Sequence, residues 1–371
     1  MQEHQTEVLQ KEAFLLTSHW ESGDDSCLVF WWQTAEGPVK QVISQSAVCF
    51  VRKVDIERLK QHVESLSWPI HFRDVELRNF QFEPVAACYL PNEFLFRWRS
   101  LLDEESIPCW EADIRTTDRF LMERFVYGSA CLAGEFEWDA IGKYDLLRGG
   151  RVKPSSYRPN LNWLSLDIET SIPRQGEDYR LYSVGLVTSG SRIVLLNTEH
   201  RAESISEHAL DQPIEYFSSE FGLLDALNQY MARLDADVIL GWNLVQFDLQ
   251  VLANLYRKHA VSMSWGRDGT LVRLRPVQPG QDRLQAHIPG RVALDGIEIL
   301  RAAGHDFESF SLQSVATHFL GEGKLLTGSD RGDDIQNLYR ENLARFAAYN
   351  LQDCDLVWRI FEQADLLSFA I

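Results

Sequence analysis

The stretch Asn162–Thr170, which reads NWLSLDIET, decides the predicted fold of the second half of the chain. Three apolar residues lead into Asp167 and Glu169, two carboxylates that are two residues apart. Because side chains alternate between the faces of a strand, both carboxylates point to the same face. Like charges this close repel unless one takes up a proton or a cation lies between them. A hard divalent ion such as Mg²⁺ or Mn²⁺ suits such a pair, and a capped strand end followed by a turn explains the stretch equally well.

The rest of the composition is typical of a soluble globular protein. A chain of 371 residues is too long for one ordinary core, so two domains are expected. The sequence has no apolar run of about 18 residues and no charged leader before an apolar segment, which predicts neither membrane insertion nor secretion. The six cysteines are scattered and form no C-x-x-C pair, which favours reduced thiols over structural zinc.

The formal net charge of −18 argues against a protein that grips a long duplex by itself, because phosphate binding is driven by Lys and Arg. It remains compatible with an enzyme that holds a few nucleotides of single strand and recruits cations to a carboxylate cluster. It is equally compatible with the absence of a basic, duplex-gripping part from this sequence.

Residues 1–157 are predicted to form an α+β domain. Short strands separated by turns containing Gly, Asp and Pro fill most of Ala13–Arg52, and Asp55–Leu66 has helical spacing. No catalytic residue types cluster here, which indicates a structural or nucleic-acid-contacting domain. The stretch Lys143–Pro159 is rich in Gly, Pro, Ser, Lys and Arg. We therefore expect an interdomain linker there, either in contact with phosphates or merely solvated.

The second half is predicted to be an α/β domain with a mixed sheet. The strand that ends near Asp167 is followed by two more strands, which indicates an antiparallel meander, and Glu220–Leu234 has the pattern of an amphipathic helix. A strand, VILG, and another helix follow, and such a progression packs helices against the sheet. Near the end, Leu338–Phe369 is predicted to be a long helix, broken near Asn350.

The segment Ser264–Arg291 is predicted to be a β-hairpin with polar edges. It carries five arginines, Arg267, Arg273, Arg275, Arg283 and Arg291. Two explanations remain open for this basic hairpin in an acidic domain. It guides a nucleic-acid strand, or its charged edge blocks aggregation.

Three acidic sites occur in order along the second half. The first is the pair in NWLSLDIET. The second is GWNLVQFD, where a buried strand ends and a helix begins near Asp248, with Asn243 in the connecting turn. Sites in α/β folds gather at such strand ends. The third is YNLQDCD, where Tyr349 and Asp353 are four residues apart and share a helix face.

Four carboxylates and a tyrosine suit a phosphodiesterase that uses two divalent cations, which lie ~3.5–4 Å apart in such enzymes. The cations activate water and stabilise the leaving 3′-oxygen. A tyrosine hydroxyl is neutral near pH 7 and can orient the attacking water. Each site alone is weak, since Y-x-x-x-D occurs by chance in many helices, but the ordered set is a specific signal.

The ordered set resembles the three exonuclease motifs of the tyrosine-bearing branch of the DEDD superfamily (DEDDy), found in proofreading domains of family B DNA polymerases. Segments such as EADIRTTDRFLMERF, DVILGWNLVQFDL and YNLQDCDLV extend the resemblance to the bacterial polymerase II branch over nearly the whole chain. The resemblance implies a ribonuclease-H-like 3′–5′ exonuclease domain over 158–364. Residues 365–371 would start the segment that leads to palm, fingers and thumb. No later polymerase signature occurs in the sequence, which suggests a fragment or a protein without polymerisation.

The resemblance also implies roles by position. Asp167, Glu169 and Asp353 would hold the metal that activates water. Asp167 would also bind the second metal, with Asp248 reaching it directly or through water, and Tyr349 would position the nucleophile. The family's single-strand contacts would fall on Thr170, Asn243, Phe247, Ser311 and Leu312. For Phe247, a place in the core is an equally good explanation.

The sequence therefore predicts a metal-dependent 3′–5′ exonuclease that uses two divalent cations, Mg²⁺ or Mn²⁺. Its predicted substrate is a single-stranded or frayed DNA 3′ end, including a primer terminus. Its predicted location is the bacterial cytoplasm, in association with the nucleoid. Two alternatives remain. One is a related exoribonuclease, because the motifs alone do not distinguish DNA from RNA. The other is a module that holds single-stranded DNA and is inactive without the polymerase body.

Overall fold

The chain forms two compact units, Met1–Pro159 and Asn160–Ile371. The structure, a computed structural model, describes residues 9–22, 26–173, 178–199, 213–278, 280–322 and 331–371. The division lies close to the predicted boundary after residue 157. Among the described residues, no helix is both long enough and apolar enough to cross a membrane.

The first unit is built mainly from short strands. They are β1 (Leu9–Glu21), β2 (Cys27–Thr34), β3 (Pro38–Ile43), β4 (Ala47–Arg52), β5 (His71–Arg78), β6 (Pro84–Leu90), β7 (Cys109–Trp110), β8 (Ser129–Gly134), β9 (Phe136–Asp139), β10 (Tyr144–Arg148) and β11 (Arg151–Pro154). The helices are α1 (Ile56–Leu66), α2 (Leu95–Glu104) and α3 (Thr116–Met122). This composition confirms the predicted α+β class of the first half.

Two sheets carry the cores of the first unit. The larger has the order β11-β8-β1-β2-β3-β10-β9, and the smaller has the order β5-β6-β4-β7. The strand β2, CLVFWWQT, is almost entirely buried, and Phe30 on it packs against Phe120 of α3 with 4.9 Å between ring centroids. Against the smaller sheet, Leu59 of α1 and Trp98 of α2 are fully buried.

The predicted linker over Lys143–Pro159 is wrong, because two strands of the larger sheet, β10 and β11, lie within it. Gly149 and Gly150 form the turn between them, with φ of +71° and +81°. Such backbone angles suit glycine, which has no Cβ to clash. The Gly-rich and basic composition therefore belongs to a tight turn and to exposed strand residues.

The second unit alternates strands and helices. Its strands are β12 (Trp163–Thr170), β13 (Leu181–Val187), β14 (Arg192–Asn197), β15 (Ile214–Phe217), β16 (Val238–Gly241), β17 (Arg273–Pro276), β18 (Leu284–His287) and β19 (Val292–Asp295). Its helices are α4 (Glu220–Leu234), α5 (Asp248–Lys258), α6 (Gly296–Ala302), α7 (Leu312–Leu320), α8 (Arg331–Glu341), α9 (Leu343–Gln363) and α10 (Leu366–Ala370).

Six of these strands form one mixed sheet in the order β15-β14-β13-β12-β16-β19. The strands β12, β13 and β14 pair antiparallel, which confirms the predicted meander, and β16 and β19 add in parallel beside β12. One face packs against α4 and α5, and the other packs against α7 and α9. The carboxyl ends of β12, β16 and β19 therefore lie side by side, where α/β folds gather their sites.

Helix ends in the second unit follow local capping. The predicted helix Glu220–Leu234 is confirmed, and the Ser219 hydroxyl caps it by accepting a hydrogen bond from the Gly222 amide. The predicted break near Asn350 is wrong, because Asn350 lies inside the continuous helix α9. The break lies at Asn342, whose side chain caps α9 by accepting from the Arg345 amide.

The hairpin of β17 and β18 confirms the predicted turn segment, but two of its five arginines do not lie on an edge. Arg267 and Arg291 are buried and form ion pairs with Asp235, and Arg267 also pairs with Asp237. We call these four residues the arginine cluster. Its two arginines hold the base of the hairpin against the sheet, so the expectation that they guide a strand is wrong for them. Arg273 and Arg275 are exposed.

Candidate active site

Asp167 and Glu169 lie near the end of β12, next to the antiparallel strand β13. Asp167 is opposite Gly185 and Glu169 is opposite Ser183, so the two carboxylates share one face of the sheet. Leu164, Leu166 and Ile168 of β12 fill the core on the opposite face. The alternation of the sequence therefore produces the shared face that it predicts.

Helix α9 covers this face and brings the third motif to β12. Asp353 is 1% exposed and Tyr349, one turn earlier, is 2% exposed. The close approach depends on Gly185, because a Cβ there would lie 3.0 Å from the Cys354 sulfur. The spacing of Tyr349 and Asp353 was readable from the sequence, whereas their approach to β12 depends on this packing.

Asp167, Glu169 and Asp353 each offer one carboxylate oxygen, and these three oxygens lie within 4.8 Å of one another. The three residues come from two elements that are far apart in sequence. Carboxylate oxygens are the ligands that Mg²⁺ and Mn²⁺ prefer, and a cation would offset the repulsion among three like charges. The donor set therefore fits a hard divalent cation.

Asp248, the first residue of α5, is joined to the same strand. Its Oδ1 accepts a hydrogen bond from the Ile168 amide at 3.1 Å, between the two acidic residues of β12. Burial, and then the charge of Asp167, raise the pKa of Asp248 well above its ordinary value. We call Asp167, Glu169, Asp248 and Asp353 the acidic cluster.

The negative charge of the acidic cluster affects the pKa of the buried Cys354 thiol. Burial raises the pKa of this thiol, and four nearby negative charges raise it further: Asp167, Asp353, Asp248 and Glu169. The Cys354 thiol therefore lies close to all four carboxylates. Their grouping concentrates negative potential at the carboxyl end of β12. Such a field attracts cations.

The structure distributes three of the five predicted substrate contacts around the same sheet end. Thr170 ends β12, after a register irregularity that follows Glu169. Asn243 is exposed with a φ of +61°, and its carbonyl accepts from the Phe247 amide at 2.9 Å. The Phe247 ring packs edge-on against Tyr179, so this side chain is partly in the core.

The other two predicted contacts begin α7. Ser311 is exposed and caps the helix by accepting from the Ser314 amide at 3.2 Å, whereas the Leu312 side chain is buried in the core. The indole of Trp242 donates to the Phe310 carbonyl at 2.9 Å, which ties this helix start to the turn that carries Asn243. The five residues thus fall on three segments, and the Leu312 side chain faces inward.

Two polar residues at the site were not predicted. Asp295 ends β19 and accepts hydrogen bonds from the Val245 and Ile297 amides, and its burial raises its pKa. An aspartate between a strand and a helix is a recognisable N-cap, so the segment ALDGIE contained this signal. Asn350 donates to Asp167 Oδ2 at 2.7 Å, and no spacing rule singles it out.

Comparisons with known proteins identify the family of this chain. A family model described as DNA polymerase family B, exonuclease domain, matches residues 107–315. The match includes the first two motifs and ends before Tyr349. DNA polymerase II of Escherichia coli K12 is 34% identical over 368 residues, which cover 98% of this chain and 45% of that relative. The DNA polymerase delta catalytic subunit of Glycine max is 30% identical over 156 residues, covering 40% of this chain and 14% of its own length.

A solved structure shares the fold. The family B DNA polymerase from the archaeon Pyrobaculum calidifontis matches with a TM-score of 0.73 at 18% identity, over 95% of this chain and 45% of that one. The chain thus spans less than half of the length of these relatives. The match to the family model covers more than half of the chain, and the predicted resemblance is confirmed: the chain belongs to the exonuclease-domain family of the family B DNA polymerases.

Proposed function

We propose that this chain is a metal-dependent exonuclease of the proofreading type, which releases nucleotides in the 3′–5′ direction from single-stranded or frayed DNA ends. The observation that carries the proposal is the group of three carboxylate oxygens within 4.8 Å, contributed by Asp167, Glu169 and Asp353. Family membership supports exonuclease chemistry, and the substrate follows by analogy with DNA polymerase relatives.

In this proposal the acidic cluster holds two divalent cations, Mg²⁺ or Mn²⁺. Asp167, Glu169 and Asp353 would hold one, and Asp167 together with Asp248 would hold the other, Asp248 directly or through water. Bound cations would supply an activated water and stabilise the charge on the leaving oxygen. Asp167 contributes to both sites, so it is the residue whose loss the chemistry should tolerate least.

The remaining residues position the substrate and water. Tyr349 donates a hydrogen bond that orients the attacking water, an effect of geometry and not of charge. The strand contacts are Thr170, Asn243, Phe247, Ser311 and Leu312. Since the Leu312 side chain is buried, its contact would come from the backbone at the start of α7, where helix N–H groups lack intrahelical partners. The mixed sheet with helices on both faces supports a ribonuclease-H-like fold of the DEDDy type.

A digestion assay tests this function. A single-stranded DNA oligonucleotide labelled at its 5′ end should shorten stepwise from its 3′ end with Mg²⁺ and stay intact with EDTA. The double variant Asp167→Ala/Glu169→Ala should leave it intact under both conditions. Wild-type rates in the double variant would refute the assignment of the site. A matched RNA oligonucleotide separates a DNA exonuclease from an exoribonuclease.

A second function is considered because the net charge of −18 predicts weak retention of a DNA substrate, and because the chain covers 45% of the E. coli relative. The chain would hold single-stranded DNA and cut poorly without palm, fingers and thumb domains, the proposed partners in a longer protein. Electrostatic retention of DNA weakens as salt rises. Binding without Mg²⁺-dependent digestion, even at low salt, would support this function over the first.

A further inference from the structure

Asn350 is a polar residue that the proposed chemistry leaves without a role. It lies on α9 between Tyr349 and Asp353 and is fully buried. Its Nδ2 donates to Asp167 Oδ2 at 2.7 Å and to the Asp167 backbone carbonyl at 3.3 Å. Because a carboxylate and a carbonyl only accept, the side-chain nitrogen, and not the oxygen, must face Asp167.

The oxygen of the Asn350 side-chain amide also has a hydrogen-bond partner. The hydroxyl of Ser183, a fully buried residue of β13, donates to Asn350 Oδ1 at 2.8 Å. A flipped amide would face Asp167 with an acceptor, so the two hydrogen bonds to Asp167 would be lost together. The chain Ser183, Asn350, Asp167 therefore has one hydrogen-bond direction and fixes the orientation of the amide.

The space for Asn350 is provided by Gly185, which lies opposite Asp167 on β13. A Cβ at this position would lie 3.1 Å from Cγ and from Nδ2 of Asn350. This distance is shorter than ordinary van der Waals contact. The absent side chain at Gly185 thus lets the amide reach across to β12.

We infer that Asn350 is a positioning residue that fixes the Asp167 carboxylate in the orientation in which it ligates the cation. This inference rests on the proposed function, because it assigns Asn350 a role toward that metal site. A carboxylate surrounded by like charges tends to rotate away from them, and a short hydrogen bond from a fixed donor prevents this. Partners that orient ligating side chains are commonly required for full metal affinity.

A purely structural role, in which Asn350 only fills the core, makes a different prediction. The chain offers a matched control in Asn197, which is also fully buried in the second unit. Its Nδ2 donates to the Leu181 carbonyl at 3.0 Å and its Oδ1 accepts from the Glu199 amide at 3.0 Å. Replacing either asparagine by leucine removes a buried amide, but only Asn350 contacts Asp167.

The test is calorimetric titration of the whole chain with Mn²⁺, without DNA. We expect Asn350→Leu to weaken Mn²⁺ affinity by about 10- to 100-fold, the range found when the partner of a metal ligand is removed. Asn197→Leu should keep wild-type affinity. In the digestion assay, the rate of Asn350→Leu should recover toward wild type as Mn²⁺ is raised, since the ligands themselves remain.

A second variant decides the matter if Asn350→Leu does not fold. Ser183→Ala keeps Asn350 but removes the donor that holds its amide, so it should weaken Mn²⁺ affinity measurably, by less than the tenfold loss expected for Asn350→Leu. Wild-type affinity in the folded variants would overturn the inference alone. If Asp167→Ala binds Mn²⁺ as tightly as the wild-type chain, the proposed function is overturned as well.

Discussion

Two groups of acids, each with buried members, lie at opposite ends of the same parallel strands, and they differ in their counterions. Before β16, Asp237 of the arginine cluster accepts from the Asn162 amide just before β12, and it pairs with Arg267. Past the other ends of these strands, Asp248 of the acidic cluster accepts from the Ile168 amide. The sheet thus carries a compensated cluster at one end and concentrated negative charge at the other.

This difference shows that burial of aspartates does not by itself indicate a functional site. In the arginine cluster, burial and the neighbouring Arg267 lower the pKa of Arg291 to about 10, which still leaves it protonated at neutral pH. In the acidic cluster, burial and Asp167 raise the pKa of Asp248. The first cluster supplies its own positive charge, whereas the second fits an external cation.

The largest expected effect is on the acidic cluster. Asp167→Ala should slow nucleotide release by about 10³-fold or more, because cations stabilise the transition state by several kcal/mol. Glu169→Ala should slow it less, since Glu169 would reach only one cation. The nucleotide-release rates of both variants are measured at saturating Mg²⁺, with Arg97→Met, at an exposed position of α2, as the control. Equal losses for the two acidic variants would contradict the shared role of Asp167.

The next effect belongs to the arginine cluster. Arg267→Met should lower the free energy of unfolding by about 3–5 kcal/mol, because it leaves Asp237 buried without its cationic partner. Urea denaturation measures this change. Arg273→Met should stay within about 0.5 kcal/mol of wild type, as expected for an exposed residue. A similarly small effect of Arg267→Met would mean that the arginine cluster does not support the fold.

Tyr349→Phe separates positioning from ligation within the acidic site. It should slow release by about 10- to 100-fold, the equivalent of one hydrogen bond to a charged group. Mn²⁺ affinity should not change, because no carboxylate is removed. Calorimetry of the variant checks the second expectation, and a clear loss of Mn²⁺ affinity would count against the proposed role of Tyr349.

The smallest expected effect is on the pH dependence of the free energy of unfolding. It is measured in EDTA, for one aspartate from each cluster. Since the pKa of Asp248 is higher in the folded chain than its ordinary value of 3.8, ionisation costs stability as pH rises above that value. Asp248→Asn should match the stability of wild type near pH 4 and exceed it at pH 7, at the expense of function. Asp237→Asn should lose stability at pH 7. Urea unfolding at both pH values reveals whether the signs differ.

Local patterns predicted the elements whose formation depends on neighbours in sequence. The helix Glu220–Leu234 and the shared face of Asp167 and Glu169 follow from periodicity. The prediction of a linker over Lys143–Pro159 failed, because a Gly-Gly turn between two short strands has the composition of a linker. Composition does not record which strand a segment pairs with.

The sequence by itself determined three motifs in order, their residue types and the family resemblance. The tertiary structure decided that α9 brings Asp353 to β12, that Arg267 and Arg291 are buried, and that Asn350 reaches Asp167. The physical reason is that spacing within one element is fixed by backbone geometry. Contacts between β12, β13 and α9 depend instead on packing between distant segments, such as the close approach that Gly185 permits.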